Sequence, residues 1–156
     1  DFPEEHSAAT WYYQISENYL CEPVQHYGFY LTPLQNFEKG KTVFHPHGYS
    51  NYFFHPTHPH ELIIVSTENN KVSILNCLSG EIVRTISKGK EYAFCNIDPV
   101  TGNYLFRNSY YVLITNENGD ELFRMRSEDT SPYLANNILT CWAGAAINVE
   151  PYLKKP

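Results

Sequence analysis

Five of the seven histidines lie between Phe44 and Glu61, in the run FHPHGYSNYFFHPTHPHE. Imidazole ligates borderline metals and titrates near neutral pH, so this run is where chemistry is first sought. Two His-x-His pairs, His45/His47 and His58/His60, flank an aromatic centre. Residues two apart on a strand share a face, so each pair can offer two nitrogens to one ion. Brought together, the pairs would make a four-nitrogen site suited to Zn, Ni or Cu. Three features count against it: Pro46, Pro56 and Pro59 break strand geometry, no cysteine adjoins, and Glu61 is the only close carboxylate. Solvated loop histidines are the simpler reading, and no cofactor is expected apart from that metal alternative.

Aromatic residues are the second chemical feature, with 13 Tyr, 9 Phe and 2 Trp against one Met. Tyr49, Tyr52 and Phe53 lie between the histidine pairs as an expected binding surface, with Tyr27, Phe29 and Tyr30 upstream. Amphipathic rings of this kind suit a protein or glycan contact; cross-strand packing is the plainer use of most of them. Catalytic signatures are missing. There is no Gly-x-Ser-x-Gly elbow, no phosphate-binding Gly-x-x-x-x-Gly-Lys and no His-Glu-x-x-His, so no catalytic residue is assigned. Asp98, Glu117, Asp120 and Asp129 stand in turn-like sequence, where Asp and Asn serve backbone geometry.

At 156 residues and −6 net charge, the chain reads as one domain with no nucleic-acid partner, because phosphate binding draws on clustered Lys and Arg. No apolar run approaches the roughly 20 residues that span a bilayer. Cys21, Cys77, Cys95 and Cys141 are too far apart for CxxC chemistry. An even set suggests disulfides among them and an extracellular, periplasmic or cell-envelope location; buried free thiols are the alternative. The sequence begins at Asp1 without a leader, which fits a removed signal peptide or an excised fragment.

The elements that must position these residues are short strands. Residues 1–10 are polar and small and expected to be flexible; 11–150 form a single β-rich domain, and 151–156 a tail. Trp11–Ile15 and Tyr19–Cys21 read as a hairpin about Ser16-Glu17-Asn18. Thr32-Pro33 with Gln35 and a stop at Gly40 predicts a short helix over 33–39. Strands follow at Leu62–Thr67, Lys71–Asn76, Glu81–Ile86, Tyr92–Ile97, Tyr104–Arg107, Tyr110–Thr115 and Glu121–Met125, separated by Asn- and Gly-bearing turns. Leu134, Ile138 and Trp142 share helical spacing, which favours a helix over 132–142, although 138–142 also suits a buried strand. Residues 143–146 read as a tight turn and Ile147–Val149 as an edge strand.

The pattern repeats. Gly40, Gly80 and Gly119 recur at intervals of 40 and 39 residues, and Phe54 and Phe94 are 40 apart, each with a proline soon after. Units 52–86 and 92–125 superpose element by element. Phe54-His55-Pro56, then Leu62 and Ser66, then Val72-Ser73-Ile74-Leu75-Asn76 and Ser79-Gly80-Glu81-Ile82-Val83, resembles a WD40-type propeller blade; 92–125 resembles a second, more diverged one. Leu75-Asn76 stands where the family has Trp-Asp, and the Gly-His start is absent. The resemblance implies a binding platform without catalysis and makes His55 architectural. The opening Trp11-Tyr12-Tyr13 with Cys21 ten residues after Trp11 also resembles some small bacterial secreted proteins. The expected fold is mainly β: antiparallel short-strand repeats, blade-like or a small sandwich or barrel, with one or two short helices. The expected function is non-catalytic: a protein-binding or structural module of an exported protein, contacting a protein partner or itself. A His-rich metal-binding protein is the alternative, and a hydrolase with an unrecognised site the third reading.

Overall fold

The structure, a computed structural model, describes residues 13–24, 27–35, 42–48, 50–141 and 144–154. Fifteen strands arranged in four antiparallel sheets follow one another along these residues. The first sheet is β1 (Gln14–Ile15), β2 (Tyr19–Val24), β3 (Gly28–Pro33) and β4 (Val43–His45). The second is β5 (Ser50–Phe54), β6 (Glu61–Ser66), β7 (Val72–Asn76) and β8 (Ile82–Ile86). The third is β9 (Ala93–Ile97), β10 (Tyr104–Arg107), β11 (Tyr111–Thr115) and β12 (Glu121–Arg126). The fourth has three strands, β13 (Tyr133–Ala135), β14 (Ile138–Thr140) and β15 (Ala146–Asn148). Every sheet is a meander in which sequence neighbours pair, so the order within each equals the order along the chain.

Strand alternation stacks these sheets. Leu62 and Ile64 of β6 pack with Tyr19, Cys21, Phe29 and Leu31 of the first sheet. Ile63 and Val65, pointing the other way, pack with Tyr104, Phe106 and Leu113 of the third. The third repeats the device: Leu105, Val112 and Ile114 face Leu134 and Leu139 of the fourth. A sheet buried on both sides reads as continuous apolar sequence, which is why Leu62–Val65 and Val112–Ile114 carry no polar residue. Three apolar layers thus join first to second, second to third and third to fourth sheet; among the described residues no such layer joins the first to the fourth. The leading strands also meet, β1 against β5 and β9 against β13.

Turn chemistry carries the repeat. A register shift falls after Ile74 where β7 meets β8, and another after Ile114 where β11 meets β12, 40 residues on. Asn76 then accepts the N–H groups of Leu78 and Ser79, as Asn116 accepts those of Asn118 and Asp120. These side-chain caps set the hairpins at Gly80 and Gly119. Gly28 has a different cause: a Cβ there would sit 2.0 Å from the His45 carbonyl oxygen, so only glycine lets β3 and β4 close.

Two predicted helices are strands or fall elsewhere. Thr32 and Pro33 end β3, with Pro33 opposite Tyr19 and beyond the reach of β4, so its missing N–H costs no ladder bond; residues 36–39 lie outside those described. The helix expected over 132–142 is the β13–β14 hairpin. Asn136 and Asn137 at φ 50° and 58° form its two-residue turn, and both central positions of such a turn need positive φ. Leu134 and Ile138, four apart, therefore point to opposite faces; Trp142 lies outside the described residues. The only helical turn described is a 3₁₀ segment, Glu150–Tyr152. After it Leu153 packs beneath the third and fourth sheets and the Lys154 N–H donates to the Leu122 carbonyl, so these tail residues sit against the domain. The flexible stretch expected at 1–10 lies outside those described.

Polar groups lock the third sheet to the fourth. The Asn96 amide donates to the Leu134 carbonyl (2.8 Å) and accepts its N–H (3.1 Å), bridging β9 and β13 as a peptide group would. Asp98, fully buried, accepts N–H groups of its own turn from Val100 (2.9 Å) and Thr101 (3.3 Å), and those of Asn136 and Asn137 at 2.8 Å each. Burial pushes the Asp98 carboxyl up, but the backbone donors of Asn137, Val100 and Asn136 outweigh it, and it settles below its ordinary value. A carboxylate held this way stabilises the fold above its unfolded pKa and loses that stabilisation as pH falls through the folded one. Asp98→Asn should therefore cost about 1–3 kcal/mol in urea unfolding at neutral pH, and the gap to wild type should narrow on acidification below about pH 4. A gap that stays constant from neutral to acid pH would show that the charge is not what holds this junction.

Candidate functional site

The loop from His55 to His60 connects β5 to β6 and carries three of the histidines, His55, His58 and His60. His55 continues β5 by one residue, its N–H donating to the Glu61 carbonyl at 2.9 Å. Alternation sends His55, Glu61 and, on β8, Arg84 to the side of the second sheet that faces the third. His58 reaches the same point from the turn between them. His55 Nε2 lies 3.4 Å from His58 Nδ1, and that nitrogen lies 3.4 Å from Glu61 Oε2. Among the described residues this is the one group of three such side chains whose ligating atoms fall within 4.8 Å of one another.

The surroundings are polar and largely closed. Thr57 N–H donates to His55 Nδ1 (3.3 Å) and its hydroxyl lies 3.2 Å from the same nitrogen. On the other side of the ring, Nε2 is 3.2 Å from the hydroxyl of the fully buried Tyr104. Burial, then the nearby His58 and Arg84, hold the His55 imidazole down to about 4, so it is neutral at physiological pH. Burial pushes the Tyr104 phenol up to about 12. Arg84 donates to Glu61 Oε2 at 2.8 Å and to Glu117 at 3.3 Å, while its Nε is buried without a partner among the described residues. The third sheet thus contributes Tyr104 and Glu117 to a loop of the second.

The four histidines predicted to ligate do not converge as two pairs. His45 is buried and stacks on Phe29 at 5.0 Å; His47 stacks on the same ring at 6.1 Å. Burial lowers both pKa values, helped in His45 by His47. His60 turns to the first sheet, its Nδ1 3.1 Å from the Tyr19 hydroxyl. His58 turns to His55 instead, because Pro59 and the turn at its flanks remove the strand geometry that would align it with His60. His55 and Glu61 were visible in sequence as scaffold and nearby carboxylate; period two from Ile63 and Phe53 was the signal that puts them on one face.

Of the expected binding surface, Tyr52 is core, 6% exposed, with its hydroxyl donating to the His47 carbonyl. Phe53 is 41% exposed, its ring 6.2 Å from that of Phe94. Tyr49 lies outside the described residues. All four cysteines are free thiols, so none of the expected disulfides is formed. Cys21 and Cys77 share the layer between first and second sheets, and Cys95 belongs to that between third and fourth. Burial pushes these three up to about 12, which leaves them poor nucleophiles.

No protein-family model matches the sequence, and no curated protein matches it. Solved structures do match. BamB from Moraxella catarrhalis is similar with a TM-score of 0.58 at 17% identity, over 83% of this chain and 38% of that one. The computationally designed Ika4 protein gives 0.60 at 13% identity over 92% of each chain. The β-propeller domain of Cps50 (Swd1) from Myceliophteria thermophila gives 0.58 at 11% identity, over 83% of this chain and 47% of that one. At such identities the likeness is one of fold, and the fold is that of propeller blades. The chain spans 38% of BamB and less than half of the Cps50 domain.

Proposed function

We propose that this chain is a non-catalytic protein-binding and assembly module, with the outer faces of its end sheets as the contact surfaces. The apolar outer face of the first sheet carries this reading. Ile15 pairs with Leu20, and Glu22 and Phe44 flank Tyr30 on the same side, away from the second sheet. Ile15 is 70% and Phe44 41% exposed. At the other end of the stack, Tyr133, Ala135, Ile138 and Ala146 line the outer face of the fourth sheet, with Tyr133 51% exposed. Inside the stack every comparable face is covered by another sheet. An occupant of the same kind, a blade-like sheet, fits both ends.

A second copy of this chain is the partner to which the proposal commits. First-sheet and fourth-sheet faces lie at opposite ends, so copies can meet head to tail. Twice the 47% of the Cps50 propeller domain that one chain matches comes to roughly one whole such domain. Light scattering across a concentration series should show a dimer, and Phe44→Glu should shift it to monomer by placing a charge in the buried contact. A wild type that stays monomeric at about 100 μM, where micromolar contacts are saturated, contradicts the proposal.

A further inference from the structure

The proposed contacts do not use the His55–His58–Glu61 cluster, and its spacing has a chemical meaning. In a tetrahedral zinc site, bonds of about 2.0–2.2 Å place neighbouring ligand atoms about 3.3–3.6 Å apart. His55 Nε2 to His58 Nδ1 and His58 Nδ1 to Glu61 Oε2 are both 3.4 Å, two edges of such a tetrahedron. We infer that His55, His58 and Glu61 form a three-ligand site for a zinc ion at the edge of the layer between the second and third sheets. Two imidazoles and one carboxylate are a donor set suited to zinc, with the fourth position left for water.

The surrounding groups fit that role. Zinc on Nε2 of a neutral imidazole requires the ring proton on Nδ1, so binding exchanges the Thr57 N–H bond that Nδ1 accepts for one that Nδ1 donates to the Thr57 hydroxyl, 3.2 Å away. The Tyr104 hydroxyl, 3.2 Å from Nε2, lies on the ligand side of the ring, where a zinc-bound water would be hydrogen-bonded. His58 is half exposed, so an ion can enter past it, whereas His55 is fixed by burial. Arg84 opposes the site and sets its strength. Its guanidinium already takes one lone pair of Glu61 Oε2 at 2.8 Å and adds a positive charge beside the ion. The carboxylate retains other lone pairs, so the arginine orients Glu61 while weakening the site relative to one without a neighbouring cation.

His55 doubles as scaffold. It occupies in the second sheet the place that Asp98 occupies in the third, first residue after the leading strand and followed by proline. Nδ1 accepts the Thr57 N–H as Asp98 Oδ1 accepts that of Val100. Asp98 spends its remaining lone pairs on the next sheet's backbone, whereas His55 leaves Nε2 directed at His58 and Tyr104.

Calorimetric titration of ZnCl2 into the whole chain, in a buffer that does not chelate, tests this. One equivalent should bind with a dissociation constant of about 10 μM or tighter. His58→Ala and Glu61→Gln should each weaken it by about tenfold or more, while His45→Ala/His47→Ala leaves it unchanged. Because His58 is half exposed, His58→Ala should melt like wild type, which separates a lost ligand from a lost fold. Cobalt(II) in place of zinc should give the intense visible absorption of a four-coordinate ion in wild type and not in His58→Ala. Absence of micromolar binding overturns the inference. So does binding that survives His58→Ala, or that disappears with His45 and His47, since either puts the ion elsewhere.

Discussion

Two-sided burial of the second and third sheets is the constraint on which everything else rests. A strand whose both faces are covered has no solvent side on which to place polar residues, so β6, β7, β10 and β11 must be apolar almost throughout. Each residue of Leu62–Val65 then belongs alternately to one neighbour or the other. A one-residue slip would exchange the two sets, which forces register to be held at the turns and junctions rather than by a polar-out pattern. The capped turns at Asn76 and Asn116 and the buried carboxylate of Asp98 supply that control.

The same constraint explains where chemistry can occur. Polar side chains gather at the rims of the layers, where a strand ends and a turn begins, and on edge strands. His55 and Glu61 are rim residues of the second sheet and Arg84 lies midway along its edge strand β8; Tyr104 and Glu117 are the residues of the third that meet them. Stacking two sheets therefore brings together groups from loops far apart in sequence without any of them leaving its own hairpin. The outer faces of the end sheets follow from it too: they have one neighbour fewer, and Glu22, Thr32, Thr140 and Asn148 stand on them among the apolar residues.

Legibility in the sequence divides along physical lines. The strands from Leu62 to Met125 could be read because short apolar and β-branched runs are separated by turns that carry Asn or Gly. The fourth sheet could not be read so easily. Leu134, Ile138 and Trp142 keep helical spacing by coincidence, and the consecutive Asn136-Asn137 that makes the hairpin lies inside it. Helix signals at Thr32-Pro33 were likewise overridden by pairing with β2, a tertiary effect that local propensity does not contain. At the site, the histidines were conspicuous, but their grouping was not: His58 joins His55 rather than His60 because the turn geometry, not sequence spacing, aims it. Arg84 and Tyr104 carried no local signal, since only the stacking of sheets brings them there.

Hydrogen exchange resolved by strand tests the stacked, two-sided burial most directly. The account predicts that amides of β6, β7, β10 and β11 exchange slowest, at rates set by global unfolding, and that those of β4, β12 and β15 exchange faster through local opening. Exchange in β6 and β10 as fast as in β4 and β15 would contradict it, because strands covered on both faces cannot open without dismantling two apolar layers at once.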